Sequence, residues 1–352
     1  MQSPEKDSDS PLSQGSPGQV KRTDKQTDAS LAKQWLIRVK PWLKWLVMAV
    51  VLCFVCMTVY RAYVDVQSKR EHLDFAAMDW RWLVLGTCVY AIGMLPAGIA
   101  WIQTLHCFKQ SVPWGYGLYA YYLGLMGKYV PGKAMVIVLR AGKLHPIGVE
   151  IKPTVVSVFV ETLTSVCTGA LLGSTLLLTM SPPDWMRLAA IVTIPCALVM
   201  LLPHTFRAVL AILAKSRIGR MPKSVNEAFT WRLMLRTCSW MALGWCMHGT
   251  AGWLVLSGIH PAPELWTLYA WSVCVAAVSL GAVVGFASMV PGGAFVRELV
   301  ITWLLCTLVA EPLALFAAIA FRIANLIAEF LMIGTLSIAV RCSKQPNSPI
   351  RS

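Results

Sequence analysis

Two short motifs place helix breakers beside charged residues in otherwise apolar sequence. Residues 127–133 read GKYVPGK and are followed by Arg140, and residues 289–293 read MVPGG and are followed by Arg297 and Glu298. The two Pro-Gly pairs begin at positions 131 and 291, so they lie 160 residues apart (291 − 131). A break leaves backbone N–H and C=O groups unpaired, and a helix that restarts after it presents its positive end to an anion. The repeated motif therefore predicts two related parts of one anion-binding interior.

Other ionisable residues lie within the apolar runs. Arg322, Asn325 and Glu329 recur at spacings of three and four, which places them on one face of a helix. An ionisable group near the bilayer centre costs at least ~2.5 kcal/mol, so each one needs a partner or a wet environment. Glu161 occupies the comparable place in the first half, and we expect both faces to line a common central cavity. The candidate binding residues are Lys128, Pro131, Gly132, Lys133, Arg140, Glu161, Pro291, Gly292, Gly293, Arg297, Glu298 and Arg322.

Two less specific interpretations of the same residues stay open. The intramembrane charges could form ion pairs that only lock helices together. Lys128 and Lys133 could anchor the chain at the cytoplasmic interface, with their ammonium groups in water. Neither interpretation requires a ligand.

Composition identifies the class of protein. The chain is 57% hydrophobic and 14% charged, with a mean hydropathy of +0.60, whereas soluble domains carry roughly 25% charged residues. The net charge of +14 lies between the apolar runs, as in a membrane protein with basic cytoplasmic loops, so a nucleic-acid partner is not expected. No Walker motif, catalytic triad or metal-ligand spacing is recognisable, so we expect neither an enzyme nor a cofactor or metal.

The fold class that follows is an all-α polytopic transmembrane protein with about eight spanning helices plus re-entrant or broken helices. Residues 1–30 are predicted to be a disordered cytoplasmic tail, 31–44 an interfacial basic helix, 45–340 a single integral membrane domain and 341–352 a second cytoplasmic tail. The expected spans are 43–64, 80–104, 154–180, 186–204, 234–257, 267–290, 295–310 and 314–340. The segments 113–127 and 132–146 are short enough to form a re-entrant pair.

Loop charges predict the orientation. Residues 205–236 hold seven basic residues and one acid, and residues 105–152 hold six basic residues and one acid. The loops 65–81 and 258–266 lack this excess. The bias predicts a multi-pass protein of the bacterial inner membrane with both termini in the cytoplasm.

The chain also divides into two comparable halves, about 43–182 and 186–340. In each half the third and fourth hydrophobic elements flank the Pro-Gly break, and a long helix follows. If the first half crosses three times and the second five times, both counts are odd and the halves have opposite orientation. This pattern is typical of inverted-repeat transporters with broken helices.

In order and spacing, these motifs resemble the lysylphosphatidylglycerol synthase transmembrane-region family, also described as flippase-like integral membrane proteins. The resemblance covers about residues 43–340 and rests on 127–133 with Arg140, on Glu161, on 291–293 with Arg297 and Glu298, and on Arg322. The chain departs from the family pattern at Phe295, where the family usually has glycine. It departs again at Met135 and Leu139, where the family often has tryptophan and glycine.

The resemblance implies movement of a lipid between leaflets, because in the full synthase the membrane domain carries the lipid that a cytoplasmic domain has aminoacylated. This chain ends about a dozen residues after the last expected span, so we expect no aminoacyl-transferase activity. The lipid would be an anionic phospholipid or a lipid-linked envelope precursor, held by Arg140, Arg297 and Arg322, with Glu161 and Glu298 balancing charge. Expected partners are membrane lipids and envelope-lipid biosynthetic enzymes. The alternatives are a membrane-embedded transferase, or its accessory subunit, and a scaffold.

Overall fold

The computed structural model describes residues 78–129, 134–217, 223–293 and 295–343. The chain divides after Phe54, and every described residue belongs to the second unit. The expected tail 1–30, interfacial helix 31–44, first span 43–64 and most of the tail 341–352 lie outside the described residues. Pro131, Gly132 and Lys133 of the first motif also lie outside them.

The described residues form helices and connecting turns, without β-strands, which confirms the predicted all-α class. The helices are α1 Trp80–Gly93, α2 Leu95–Cys107, α3 Trp114–Leu125, α4 Ala134–Leu144, α5 Ile151–Leu178, α6 Asp184–Leu201, α7 Pro203–Arg217, α8 Lys223–Ala228, α9 Trp231–Ile259, α10 Leu268–Ala287, α11 Val296–Leu305 and α12 Glu311–Ser343. Two short 3₁₀ turns follow the ends of α3 and α10, and we name them the first tip (Met126–Tyr129) and the second tip (Pro291–Gly293).

Five described helical segments are long and apolar enough to cross a membrane, which confirms a multi-pass membrane protein. They are Trp80–Cys107 (α1 with α2), Ile151–Leu178, Asp184–Leu201, Leu268–Ala287 and Glu311–Val340. The expected span at 234–257 is also a helix, the 29-residue α9, but it is not among these five. Its tryptophans and glycines and His248 lower its hydropathy.

The helices α3, α4 and α11 are too short to cross a bilayer. They contain 12, 11 and 10 residues, so each is about 15–18 Å long against a hydrocarbon core of ~30 Å. The segments 113–127 and 295–310, whose crossing the sequence left open, are therefore half-length elements.

The two short-helix regions are antiparallel hairpins. In hairpin A (α3 with α4), Gly124 lies against Arg140, and Gly127 lies against the backbone of Val136. In hairpin B (α10 with α11), Gly285 lies against Arg297, and Gly281 lies against Ile301. In both hairpins the contacting residue pairs are antiparallel: as the residue number rises along the first helix, the number of the residue that it contacts on the second helix falls. The chain therefore turns back at each tip.

The bases of the two hairpins lie at opposite ends of the bundle. Hairpin A follows Gln110, whose side-chain oxygen accepts a hydrogen bond (2.9 Å) from the backbone N–H of Glu150, just before α5 begins. Hairpin B ends near Trp303, whose ring lies 6.2 Å from that of Trp185. Trp185 opens α6 just after α5 has ended, so the length of α5 separates the two bases.

The tips of the two hairpins contact each other in the interior. Hairpin B returns to the end from which it starts, so among the described residues of the second half the net crossings are those of α6, α9 and α12. The expected count of five for that half becomes three. Three crossings is still an odd number, so the structure supports the inverted-repeat interpretation. The second half is arranged differently from the expectation, because α10 and α11 form a hairpin.

The basic loops gather at one end of the bundle. Arg236, at the start of α9, donates a hydrogen bond to the sulfur of Cys107, at the end of α2 (3.1 Å). The rings of Phe108 and Phe229 lie 5.9 Å apart at the same end. At the other end the backbone N–H of Asp79 donates to the carbonyl of Gly258 (2.9 Å). The loops that are rich in basic residues in the sequence therefore lie together at one end of the folded bundle.

Candidate functional site

Among the residues that the structure describes, a cluster of five charged side chains surrounds the two tips. Lys128 belongs to the first tip, Arg297 and Glu298 to the first turn of α11, and Arg322 and Glu329 to α12. Hairpin A supplies one member, hairpin B two and the last helix two. We call these five residues the tip cluster.

Lys128 reaches from the first tip to the last helix, where it forms a salt bridge with Glu329. The Glu329 side chain is 1% exposed, and that of Lys128 is 30% exposed. The hydroxyl of Tyr90, on α1, donates to the same carboxylate at 3.5 Å. Lys128 therefore points inward to a buried partner, which favours the site interpretation over simple anchoring at the membrane surface.

Arg322 ties the second tip to the last helix. Its Nη2 donates to the carbonyl oxygen of Gly292 at 3.2 Å, and its Nε lies 3.6 Å from Glu298 Oε1. A carbonyl released by the break in the helix thus accepts a hydrogen bond from a cationic side chain, as the sequence pattern suggested. The contact also fixes the position of the tip relative to α12.

Arg297 is held by neutral partners. With the amide of Asn325 oriented to donate to the carbonyl of Phe321 (3.0 Å), its oxygen accepts from Arg297 Nη2 at 3.2 Å. The guanidinium carbon lies 5.8 Å from the centre of the Phe321 ring. Within the described part of the chain, Arg297 forms no ion pair with a carboxylate. Arg297 and Glu298 are adjacent in sequence but have different partners.

The tip cluster carries a surplus of positive charge. Three cations, Lys128, Arg297 and Arg322, face two carboxylates, Glu298 and Glu329, which leaves a net formal charge of +1 (3 − 2). Both arginines are near enough to Lys128 to interact with it electrostatically. Repulsion among cations is unfavourable in a desolvated place, and an anion would relieve it. This surplus distinguishes the tip cluster from a set of ion pairs that only fasten helices.

Arg140 and Glu161 form a separate, neutral pair between α4 and α5. Arg140 Nη1 lies 3.1 Å from Glu161 Oε2, and the two side chains are 1% and 13% exposed. The guanidinium is sandwiched by aromatic rings, at 4.7 Å from the Trp101 ring and 4.3 Å from the Tyr121 ring. The Tyr121 hydroxyl also donates to Glu161 at 3.4 Å. This placement favours the helix-locking interpretation for Arg140 and Glu161, which the sequence had grouped with the binding residues.

In each half, a glycine makes room for the arginine that follows the break. A Cβ at Gly124 would lie 2.6 Å from Cγ of Arg140, and a Cβ at Gly285 would lie 3.3 Å from Cβ of Arg297. The two glycines are 161 residues apart (285 − 124), close to the separation of the Pro-Gly pairs. Sequence reasoning missed them, although this spacing was available as a signal.

The backbone at the second tip is unusual over a short distance. Gly292 and Gly293 both have φ of 64°, and Phe295, the residue before α11, has φ of 74°. Glycine adopts such angles freely, whereas an aromatic residue there is strained. By the resemblance, the family usually has glycine at position 295, and glycine would adopt this φ without strain. Pro291 begins this turn.

Two further buried groups adjoin the tip cluster and were not predicted. The ring of His248, on α9, stacks on that of Tyr90 at 4.5 Å, with 28° between their planes. Its Nε2 is buried without a hydrogen-bond partner among the described residues. In the sequence, His248 could have been predicted to belong to the site only because it is an ionisable residue within an apolar run. Nothing in the sequence singles out Tyr90.

These features define a polytopic α-helical membrane protein with two opposed hairpins whose tips carry a cationic cluster. A sequence model of the family described as the lysylphosphatidylglycerol synthase TM region matches residues 25–332, and the chain belongs to this family. No individual curated protein gives a significant match. Membership indicates a membrane protein involved in lipid handling.

Proposed function

We propose that the protein translocates an anionic lipid between leaflets, with the headgroup bound at the tip cluster. The observation that carries the proposal is the +1 surplus of Lys128, Arg297 and Arg322 over Glu298 and Glu329 at the contact between the tips of the two hairpins. Family membership supports a lipid as the ligand. The headgroup belongs to an anionic phospholipid or to a lipid-linked envelope precursor, which share the phosphate that the cations would hold.

The geometry gives each cation a role in this proposal. Arg297 is the principal phosphate ligand, because its partners are the neutral Asn325 and Phe321 and it can exchange them without stranding a carboxylate. Arg322 holds the second tip by the carbonyl of Gly292. Lys128, 30% exposed, is the cation of the first tip. The headgroup would thus lie between the hairpins while the acyl chains stay in the bilayer.

The opposed hairpins offer a route to both leaflets. Hairpin A starts at one end of the bundle and hairpin B at the other, so displacement of each would open the tip cluster toward a different side. The proposal requires no covalent step. We further propose that the basic end faces the cytoplasm of a bacterial inner membrane, with both termini there, and that envelope-lipid biosynthetic enzymes supply or receive the lipid.

The test is a translocation assay in proteoliposomes with fluorescent phosphatidylglycerol, in which a membrane-impermeant quencher reports the labelled lipid in the outer leaflet. Wild type should move this lipid, and Arg297→Gln should slow it about 10-fold or more, since a charge-assisted hydrogen bond contributes ~1.5–3 kcal/mol. Fluorescent phosphatidylcholine, which carries no net charge, should move slowly with both proteins.

Arg187→Gln is the matched control, because Arg187 is a 53% exposed arginine near the far end of the bundle, paired only loosely with Asp184 at 3.9 Å. This variant should translocate like wild type. Equal rates for Arg297→Gln and wild type would refute the assigned role. A protein that instead acts as a transferase would turn over its substrate in detergent, where there are no leaflets.

A further inference from the structure

We propose that Tyr122 and His248 bind the hydroxyl groups of a polyol headgroup, next to the phosphate held by Arg297. This inference rests on the proposed function and deepens it by naming the class of headgroup, an uncharged glycerol, inositol or sugar joined to the phosphate. The two residues would determine specificity, whereas the cations of the tip cluster bind the phosphate that anionic phospholipids share. The inference depends on two buried polar atoms that lack partners beside the same tyrosine ring.

The hydroxyl of Tyr122, on α3, is the first of these atoms. The Tyr122 side chain is fully buried, and its hydroxyl has no hydrogen-bond partner among the described residues. A buried tyrosine hydroxyl usually finds a partner, because its burial without one is unfavourable. The Tyr122 ring packs edge-on against that of Tyr121, with 5.6 Å between the ring centres, which fixes its position in hairpin A. The hydroxyl can therefore donate to a ligand and accept from it.

The second atom is Nε2 of His248, on α9. This nitrogen is buried and has no hydrogen-bond partner within the described part of the chain. Two aromatic neighbours hold the imidazole ring, which stacks on Tyr90 at 4.5 Å and lies edge-on to Trp245 at 5.9 Å. A nitrogen of a neutral imidazole either donates or accepts one hydrogen bond. Packing thus orients the ring, and its Nε2 is available to a ligand.

Tyr90 connects the two atoms to the tip cluster. His248 stacks on the Tyr90 ring, and Tyr122 is near enough to Tyr90 to interact with it electrostatically. Arg297 is in turn near enough to interact with both Tyr90 and His248. Unpaired groups from two helices therefore lie beside the residue that we assign to the phosphate, where the substituent on that phosphate would be placed.

The chemistry of the two groups suits a hydroxyl better than an ammonium or an alkyl group. A hydroxyl both donates and accepts, so it can pair with Tyr122 and with either tautomer of His248. An ammonium only donates, and it would be repelled by Lys128 and Arg297, which both interact electrostatically with His248. An alkyl substituent would leave both polar atoms unpaired. A polyol offers several hydroxyls and no further charge.

The experiment compares two lipids of equal charge and similar size. The headgroup of phosphatidylglycerol ends in two hydroxyls, and that of phosphatidylpropanol has none. Binding to the detergent-solubilised full-length protein is measured by calorimetry. Wild type should bind phosphatidylglycerol about 10-fold more tightly, because the propyl group leaves buried polar atoms unpaired. Equal or weaker affinity for phosphatidylglycerol would overturn the polyol subsite and leave the proposed function intact, whereas binding of neither lipid would overturn both.

Two variants remove the polar atoms and keep aromatic rings in place. Tyr122→Phe and His248→Phe should each reduce the preference for phosphatidylglycerol to about 3-fold or less, with the affinity for phosphatidylpropanol unchanged. Tyr269→Phe and His260→Phe are the matched controls, because both residues are exposed and lie at an end of the bundle. Both controls should keep the full preference.

The stability of the free protein separates binding from folding. Tyr122→Phe removes a buried hydroxyl that has no partner, so it should not lower the midpoint of thermal unfolding in the absence of lipid. A variant that weakens both lipids equally would show a structural role and overturn the assignment of that residue. An undiminished preference in both Tyr122→Phe and His248→Phe would overturn the subsite. Deacylated phosphatidylglycerol should bind more weakly than the lipid, and equal affinity would assign the site to a soluble phosphodiester instead.

Discussion

At the scale of single residues, burial and partner separate two kinds of intramembrane charge in this protein. Arg140 and Glu161 form a neutral ion pair, with the guanidinium between aromatic rings. Arg297 has neutral partners and belongs to a cluster with surplus charge. The sequence shows an arginine within ten residues after the break in both places. Only the neighbouring side chains on other helices distinguish an arginine that locks helices together from an arginine that could bind a ligand.

We predict that Arg140→Met lowers the free energy of unfolding by about 3–5 kcal/mol, because it leaves Glu161 without its cation at a buried site. The double variant Arg140→Met with Glu161→Met should recover most of this loss, since both charges are then gone. The midpoint of thermal unfolding in detergent measures the difference. If the double variant is no more stable than the single one, the pair is not acting as a unit.

At the scale of elements, the sequence predicted the breaks, the short segments after them and the long helices α5 and α12. These follow from Gly, Pro and the lengths of apolar runs. It could not predict that α10 and α11 form a returning hairpin, because α10 alone is long and apolar enough to read as a full span. Nor could it predict the Lys128–Glu329 pair, whose partners are 201 residues apart and whose meeting depends on the contact between tips.

Close helix contacts at glycine give a prediction for the element scale. Gly249 on α9 faces the backbone of α10, where an added Cβ would lie 2.4 Å from Cα of Val275. Gly249→Ala should therefore destabilise the protein by roughly 1–3 kcal/mol through overpacking. Gly142→Ala on α4 is the control, because no atom lies within 4 Å of the added Cβ. Thermal unfolding in detergent should show a fall for Gly249→Ala and none for Gly142→Ala.

At the scale of the whole molecule, the bundle has a basic end and an opposite end that is nearly balanced in charge. The basic end collects the connections at 108–113, 145–150 and 229–230 with the start of α9, and the opposite end collects those at 179–183 and 260–267. The positive-inside bias was readable from loop composition. The arrangement of the hairpins between the two ends was not, since it depends on how the helices pack.

Alkaline phosphatase fusions should report this orientation. Fusion after Ser181 or Ala262, at the nearly balanced end, should give active enzyme, because alkaline phosphatase matures only outside the cytoplasm. Fusion after Lys223, at the basic end, should be inactive. The opposite pattern would reverse the proposed orientation without affecting the fold.

The contact between the tips has a consequence for the permeability of the membrane. The tips of the two hairpins meet between the two ends of the bundle, in the layer that carries the tip cluster. The net positive charge of that layer repels protons and metal cations, as fixed positive ends do in water-selective channels. The same charge attracts an anionic headgroup while it opposes the passage of cations, so a protein that opened a path for a charged lipid need not short-circuit the membrane potential.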